Sequence, residues 1–120
     1  MTLGANESDL ESPEARGPEV ETIVRKIAAS GASCVWITPP TWRHETGILE
    51  VIHEHCSPCV YFDSDAVLGG GLASGERSPD RIHPNPRGGA RWADVFWGWL
   101  ADHRDVERGP WAVEPFEPRD

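Results

Sequence analysis

The 120-residue chain lacks a long apolar run, and its start lacks the pattern of a secretion signal. None of its apolar stretches approaches the ~18 consecutive residues that a helix needs to span a bilayer. The opening residues, MTLGANESDL, contain no basic region followed by an apolar one, so no signal peptide is predicted. We therefore expect no membrane span in this chain, and its compartment remains undetermined.

Basic residues are also scarce. Eleven Lys and Arg stand against twenty Asp and Glu, which gives a formal net charge of -9 and a pI near 4.9. A surface of this sign repels nucleic acid and anionic lipid, because both carry dense negative charge. Nucleic acid is therefore not expected as a partner, and a neutral small molecule is favoured.

Cysteine is rare as well, since only Cys34, Cys56 and Cys59 are present. Three cysteines are too few for a disulfide scaffold, and their odd number leaves at least one thiol unpaired in a monomer.

Hydrophobic periodicity predicts alternating helices and strands within one domain, residues 1–103, followed by a polar tail, 104–120. The acidic segment 7–19, broken by proline and glycine, is predicted to be an exposed connector, and the glycine-rich segment 68–80 to be an irregular loop. Helices are predicted over 18–30, 46–56 and about 88–103, strands over 33–38 and 59–63, and a strand stub in MTLGA. Ala93, Phe96, Trp97 and Leu100 are expected on the packed face of the last helix.

The order strand, helix, strand predicts a right-handed parallel crossover and part of a doubly wound α/β sheet. Cys34 and Cys59 each open one of the two strands, so parallel pairing would place them at equivalent positions roughly 5 Å apart. A disulfide between them is sterically possible, although a reducing cytosol would keep both thiols reduced. Cys56 is the odd thiol in either case.

The segment DRIHPNPRGGARW, which begins at Asp80, is the strongest candidate for chemistry. A histidine that acts as a general base needs a carboxylate to hold its second ring nitrogen, and Asp80 lies three residues before His83. The alternative is a surface aspartate and histidine next to the start of a helix.

This segment resembles the last conserved block of the SGNH/GDSL hydrolases, in which D-x-x-H-P supplies the Asp and His of a catalytic triad. TLGANE is similar to the third block of that family, G-x-N-[DE], whose Asn donates to the oxyanion; that residue would be Asn6, followed here by Glu7 where Asp is commoner. CVWITPPTW and CVYFDSDAV resemble the fourth and fifth strands of the family. The resemblance implies a flavodoxin-like three-layer αβα fold and ester hydrolysis without metal or cofactor, on small-molecule or carbohydrate esters.

The nucleophile of that family lies in a G-D-S block upstream of the Asn block, and this chain begins at the Asn block. None of its serines is preceded by Gly-Asp, and none is expected to follow a strand by a tight turn into a helix. These serines include Ser8, Ser30, Ser33, Ser57, Ser64, Ser74 and Ser78. The resemblance therefore implies the carboxyl-terminal part of such a hydrolase, inactive alone, with a sheet edge through which it could self-associate. The alternative is a non-catalytic binding or interaction module derived from that fold.

Other residue patterns have simpler interpretations. HEHCSPC offers His53, His55, Cys56 and Cys59 as metal-ligand types, but the second ligand pair of a zinc site is missing. Its C-x-x-C precedes a strand, whereas a redox motif opens a helix. Trp42 could stack on a sugar or serve as a packing residue. Trp92, Trp97 and Trp99 are interpreted as core or capping aromatics.

Overall fold

The computed structural model describes residues 1–104; the predicted tail beyond Arg104 lies outside the described residues. Helices and strands alternate in the order that the sequence predicts, with ends shifted by one or two residues. Along the chain they are a 3-10 helix Pro13–Arg16, α1 Gly17–Ala29, β1 Val35–Ile37, α2 Ile48–His55, β2 Val60–Phe62, α3 Ser64–Val67, a 3-10 helix Ser74–Glu76 and α4 Pro86–Asp102. The protein is therefore of mixed α/β class. No helix within the described part is both long and apolar enough to cross a membrane.

A small parallel sheet lies at the centre. β1 and β2 pair in parallel, with Val35 opposite Val60 and Ile37 opposite Phe62. The predicted N-terminal stub is also present, because Thr2 forms a parallel bridge with Ile37. All three segments therefore run in the same direction, and the residues that follow them emerge at one edge of the sheet.

Helices cover both faces of this sheet. Trp36 is buried on one face, in a cluster with Val24 of α1 and Ile52 of α2. On the other face the ring of Phe62 contacts two aromatic rings of α4, Phe96 at 5.2 Å and Trp99 at 5.0 Å between centroids. Alternate residues along a strand point to opposite faces, so three-residue strands suffice to build two cores.

The final helix begins at a well-defined cap. The side chain of Asn85 accepts a hydrogen bond from the amide of Gly88 at 2.9 Å, and Pro86 occupies the first turn, where no amide donor is needed. The packed face differs from the prediction, because Trp97 is 61% exposed and Ala93 is exposed. Trp92 and Trp99 are half-buried on the side that faces the sheet. The prediction assigned the wrong side of the helix to the core, because it counted Trp97 as a core residue.

Two segments that were predicted to be irregular contain short helices and buried groups. In the acidic segment 7–19, Ser8 and Pro13 are buried, and a 3-10 helix leads directly into α1. In the glycine-rich segment 68–80, a 3-10 turn places Glu76 in the interior with 7% of its surface exposed. The prediction that both segments are irregular, based on their polar and glycine-rich composition, was therefore wrong in part. Side-chain hydrogen bonds stabilise both segments.

The predicted register of the cysteines is confirmed. Cys34 and Cys59 lie directly before the paired residues Val35 and Val60, and they form a disulfide with Cα atoms 4.6 Å apart. Cys56 is the free cysteine among the described residues, and burial raises the pKa of its thiol to about 11.

We expect peptide mapping of oxidatively refolded protein to recover Cys34 cross-linked to Cys59, with Cys56 alkylated. Replacing both bridged cysteines by serine should lower the free energy of unfolding by about 3 kcal/mol, because the bridge closes a loop of 25 residues in the unfolded chain. Cys56→Ala serves as the control for mapping. Recovery of a bridge between Cys56 and Cys59 would contradict the observed pairing.

A second test uses two neighbouring glycines of α4. A Cβ on Gly88 would lie 2.1 Å from the carbonyl oxygen of Glu76, whereas a Cβ on Gly89 would meet nothing within 4 Å. Gly88→Ala should destabilise the protein by roughly 1–3 kcal/mol through this clash. Gly89→Ala should be neutral or stabilise by up to about 1 kcal/mol, because alanine favours a helix. Equal effects in chemical denaturation would contradict the close approach of α4 to Glu76.

Candidate functional site

Four loops gather at the edge where the parallel strands end. The turn that contains Asn6 follows the Thr2 segment, residues 38–47 follow β1, and residues 63–71 follow β2. The fourth loop, residues 77–85, precedes α4 and reaches the same edge through Arg77, whose guanidinium donates to the Thr41 carbonyl at 2.6 Å. In open α/β sheets this edge is where ligands bind.

Asp80 and His83 form the predicted contact. Nδ1 of His83 lies 2.6 Å from Oδ2 of Asp80. The other carboxylate oxygen accepts the backbone amides of Ile82 at 2.8 Å and His83 at 3.1 Å, so the turn itself orients the carboxylate. Arg81 takes a positive φ of 62° to close this turn. Both side chains remain accessible, because His83 is 75% and Asp80 44% exposed.

This contact determines which ring nitrogen of His83 carries the proton. The hydrogen bonds from the His83 ring and from the two amides lower the pKa of Asp80 to about 2, so the carboxylate is ionised at neutral pH. An ionised carboxylate can only accept, so the proton of the neutral imidazole lies on Nδ1. Nε2 is then left with its lone pair, as a general base requires.

Asn6 lies in an exposed turn on the same edge. The turn is closed by the Glu7 amide, which donates to the Gly4 carbonyl at 3.3 Å, and Gly4 takes a positive φ of 118° that favours glycine. Within residues 1–104 no hydrogen bond joins Asn6 to Asp80 or His83. The structure therefore brings the Asp and His together and leaves the Asn separate from them.

A cleft of about 440 Å³ opens between the loops that follow β1 and β2. Thr41 forms part of its wall, and its carbonyl accepts the hydrogen bond from Arg77, which connects the cleft to the loop that carries His83. Asn6, Asp80 and His83 are not among the residues that line the cleft. Its other lining residues are mainly polar or charged: Arg43, His44, Glu45, Leu49, Asp63, Asp65, Ala66 and Gly70. The volume lies within the range that holds small-molecule ligands.

Thr41 is itself fixed by Asp65. Its amide donates to Oδ1 of Asp65 at 3.1 Å, and its hydroxyl donates to Oδ2. Asp65 and Thr41 were missed by the sequence analysis, because an aspartate and a threonine separated by 24 residues carry no local pattern.

An ion pair between a buried glutamate and a partly exposed arginine supports the loops from beneath. Arg91 of α4 donates to both carboxylate oxygens of Glu76, from Nε at 2.5 Å and from Nη2 at 2.8 Å. The same guanidinium donates to the carbonyls of Leu68 and Gly71. The hydrogen bonds from Arg91, together with one from the Ala73 amide, lower the pKa of Glu76 to about 2. The sequence carries no local signal for this pair, because Glu76 and Arg91 are 15 residues apart.

Ser64 corrects an expectation about the serines. It follows β2 after the single residue Asp63 and opens α3, so one serine does follow a strand by a tight turn into a helix. Its side chain is nevertheless completely buried, donates to the Thr38 carbonyl and accepts from Nε1 of Trp92 at 2.9 Å. Its hydroxyl therefore serves packing between β2 and α4 and is inaccessible to a substrate.

The four metal-ligand residues of HEHCSPC make separate contacts, and the thiol of Cys56 donates to the Cys59 carbonyl at 3.5 Å. Cys59 is in the disulfide, and His55 pairs with Glu21 of α1 at 2.7 Å. His53 stacks on the ring of Tyr61 with centroids 4.4 Å apart. No group of three or more His, Cys, Asp or Glu in the described ranges could hold a metal ion.

Trp42 lies in the loop after β1 and is half-buried. The guanidinium of Arg43 is positioned over its ring, 5.1 Å from the centroid. One face of the indole is thus occupied by a cation.

Comparison with protein-family models, curated proteins and solved structures finds no match to this chain. The function must therefore be argued from the geometry of the residues themselves.

The ion pair beneath the loops gives a pH test. The pKa of Glu76 falls from an ordinary 4.5 to about 2 on folding, so its contribution to stability is complete above about pH 4.5 and is lost as pH falls toward 2. Glu76→Gln should destabilise the protein at neutral pH and flatten the decline of Tm between these two values. The exposed Glu54→Gln is the matched control. Parallel Tm curves for wild type and Glu76→Gln would show that the carboxylate is not held in this way.

Proposed function

We propose that this chain is the acid-base part of an ester hydrolase of the SGNH/GDSL type, with a truncated flavodoxin-like sheet. His83 is the general base, Asp80 orients it, and Asn6 is the oxyanion donor. The observation that carries the proposal is the contact of 2.6 Å between Nδ1 of His83 and Asp80, on an exposed loop hydrogen-bonded to the ligand-binding edge of a parallel sheet.

The reaction would be acyl transfer. In that mechanism Nε2 of His83 takes the proton of a serine hydroxyl as the serine attacks the ester carbonyl, and Asp80 stabilises the imidazolium that forms. The amide of Asn6 would donate to the oxygen that becomes negatively charged. No serine of this chain is preceded by Gly-Asp, and Ser64 is buried, so the chain alone is expected to be inactive.

The charge of the cleft supports an uncharged ester as substrate. Three carboxylates line it, Glu45, Asp63 and Asp65, and the charge of its arginine, Arg43, is paired with Asp9 at 3.5 Å. Carboxylate oxygens accept hydrogen bonds from hydroxyl groups, whereas an anionic substrate would be repelled. A small-molecule or carbohydrate ester fits these conditions.

The alternative is a binding or interaction module that keeps the cleft without catalysis. The accessible cleft of about 440 Å³ supports this hypothesis as well as it supports the hydrolase, since binding needs no nucleophile. The hydrolase and the binding module differ in whether His83 has a role in turnover.

Turnover is tested in two forms of the protein. The 120-residue chain should hydrolyse p-nitrophenyl acetate no faster than its His83→Ala variant, because no accessible serine is activated. The coding sequence upstream of the Met1 codon is then inspected for an in-frame Gly-Asp-Ser segment. If it is present, the extended protein should hydrolyse the ester, and His83→Ala should lower the rate by roughly 100-fold or more.

The His55→Ala variant of the extended protein, at a histidine of α2 that does not line the cleft, is the matched control and should keep the activity. A His83-dependent release of nitrophenol by the 120-residue chain would reveal a nucleophile other than the one proposed. Absence of an upstream Gly-Asp-Ser, or activity of the extended protein that is independent of His83, would favour the binding module.

The sheet edge beside Thr2 is expected to self-associate. Thr2 pairs with β1 on one side, no strand among residues 1–104 pairs with its other side, and Leu3 is 47% exposed. Sedimentation velocity should show concentration-dependent association that Leu3→Glu weakens. Val67→Glu, at an exposed apolar residue outside the sheet, is the control, and a monomer at all concentrations would contradict the expectation.

A further inference from the structure

The loop that carries Asp80 and His83 has little apolar packing to hold it. Both side chains are largely exposed, and Ile82 between them is 37% exposed. The contact between the carboxylate and the imidazole is local, since it spans three residues and is supported by amides of the same turn. The loop can therefore form the pair by itself, but this local contact cannot determine where the pair lies relative to the sheet.

Hydrogen bonds close the loop at its base. Ser78 donates its amide to the His83 carbonyl at 2.8 Å, and Arg77 and Pro84 form an antiparallel bridge. Asn85 donates to the Glu76 carbonyl from its amide and to the Arg77 carbonyl from its side chain. These bonds join the two ends of the loop to each other and to the start of α4, and none of them reaches the exit of β1.

The guanidinium of Arg77 makes that connection. Nη1 donates to the carbonyl of Ile82, directly before His83, at 3.0 Å, and Nη2 donates to the carbonyl of Thr41 at 2.6 Å. Thr41 is held in turn by the carboxylate of Asp65 at the start of α3. One planar group thus joins the backbone beside the imidazole to the wall of the cleft.

We propose that Arg77 is a positioning residue, which sets the place of the Asp80 and His83 pair at the edge of the sheet without forming the pair. The inference rests on the proposed function, because it assigns a role to Arg77 through His83. The planar guanidinium presents several N-H donors in a rigid fork, so it can bind two carbonyls at a fixed separation. A lysine has the charge but not this geometry.

The consequence for a reaction is geometric. A base must lie within hydrogen-bond reach of the proton that it removes, and a displacement of about 1 Å can lower a rate by roughly 100-fold. Arg77 controls this distance, whereas Asp80 controls the tautomer. Substitution at the two positions should therefore have separable signatures.

The test is NMR of the labelled 120-residue chain. In Arg77→Ala the amide resonances of Trp42 and His83 should shift together, because each belongs to the peptide group whose carbonyl accepts from the guanidinium. Residual dipolar couplings of residues 78–84 should decrease in magnitude relative to those of β1 and β2, because the loop then keeps only its bonds to the start of α4. The ring nitrogen shifts of His83 should stay as in the wild type, because the contact with Asp80 persists.

Three further variants complete the test. Arg77→Lys should show the same decrease in the residual dipolar couplings of residues 78–84. This variant is measured in place of Arg77→Ala if Arg77→Ala does not fold. Arg81→Ala removes a positive charge from the same loop without touching Thr41 and should leave the couplings unchanged. Asp80→Asn should alter the ring nitrogen shifts of His83 while the amide of Trp42 and the couplings remain as in the wild type.

The outcomes separate the two proposals. Unchanged couplings for residues 78–84 in Arg77→Ala or Arg77→Lys would overturn the role of Arg77 and leave the proposed function intact. Wild-type ring shifts that show no proton on Nδ1 would contradict the proposed base, whatever the effect of Arg77.

Discussion

The ion pair of Glu76 and Arg91 is the interaction on which the arrangement of the site depends. It lies where the glycine-rich segment, the start of α4 and the base of the 77–85 loop meet, and each of the three contributes a hydrogen bond or a close contact there. A single buried carboxylate without Arg91 would be costly, so the two residues stabilise the interior only together. The segment buries Leu68 and Leu72, and this polar contact joins it to α4.

The second constraint is the small sheet. Strands of three residues supply few ladder hydrogen bonds, so the sheet depends on packing on both of its faces and on the disulfide that joins the starts of β1 and β2. The two faces differ in composition. Aliphatic residues of α1 and α2 cover one, and aromatic residues of α4 cover the other. The edge where the strands end carries the loops that form the cleft.

Much of the fold was predictable because its signals are local. The apolar spacing of α1 and α2, the glycine at the end of α1 and the β-rich runs of β1 and β2 each fall within a short window of sequence. The register of Cys34 and Cys59 followed from the crossover. The position of Trp97 was predicted wrongly, because a large apolar residue at helical spacing does not reveal on which side the helix meets the sheet.

Within the site, only the contact between residues close in sequence was predictable. Asp80 and His83 lie three residues apart, so their contact could be inferred from spacing. Thr41, Arg77 and Asp65 could not be found in this way, since each binds a partner far along the chain. The role of Asn6 was only implied by the resemblance and stays a prediction, because its relation to the pair depends on loops whose geometry no local pattern encodes.

The turn around Asp80 has a consequence for the order of folding. Contacts over three residues form on the microsecond timescale of local structure, whereas contacts between distant segments must wait for loop closure. The carboxylate can therefore orient the imidazole while the strands are still unpaired. The bond from Arg77 to Thr41 spans 36 residues and requires β1 to be in place. We therefore expect the contact of Asp80 with His83 to form earlier in folding than the connection of Arg77 to Thr41.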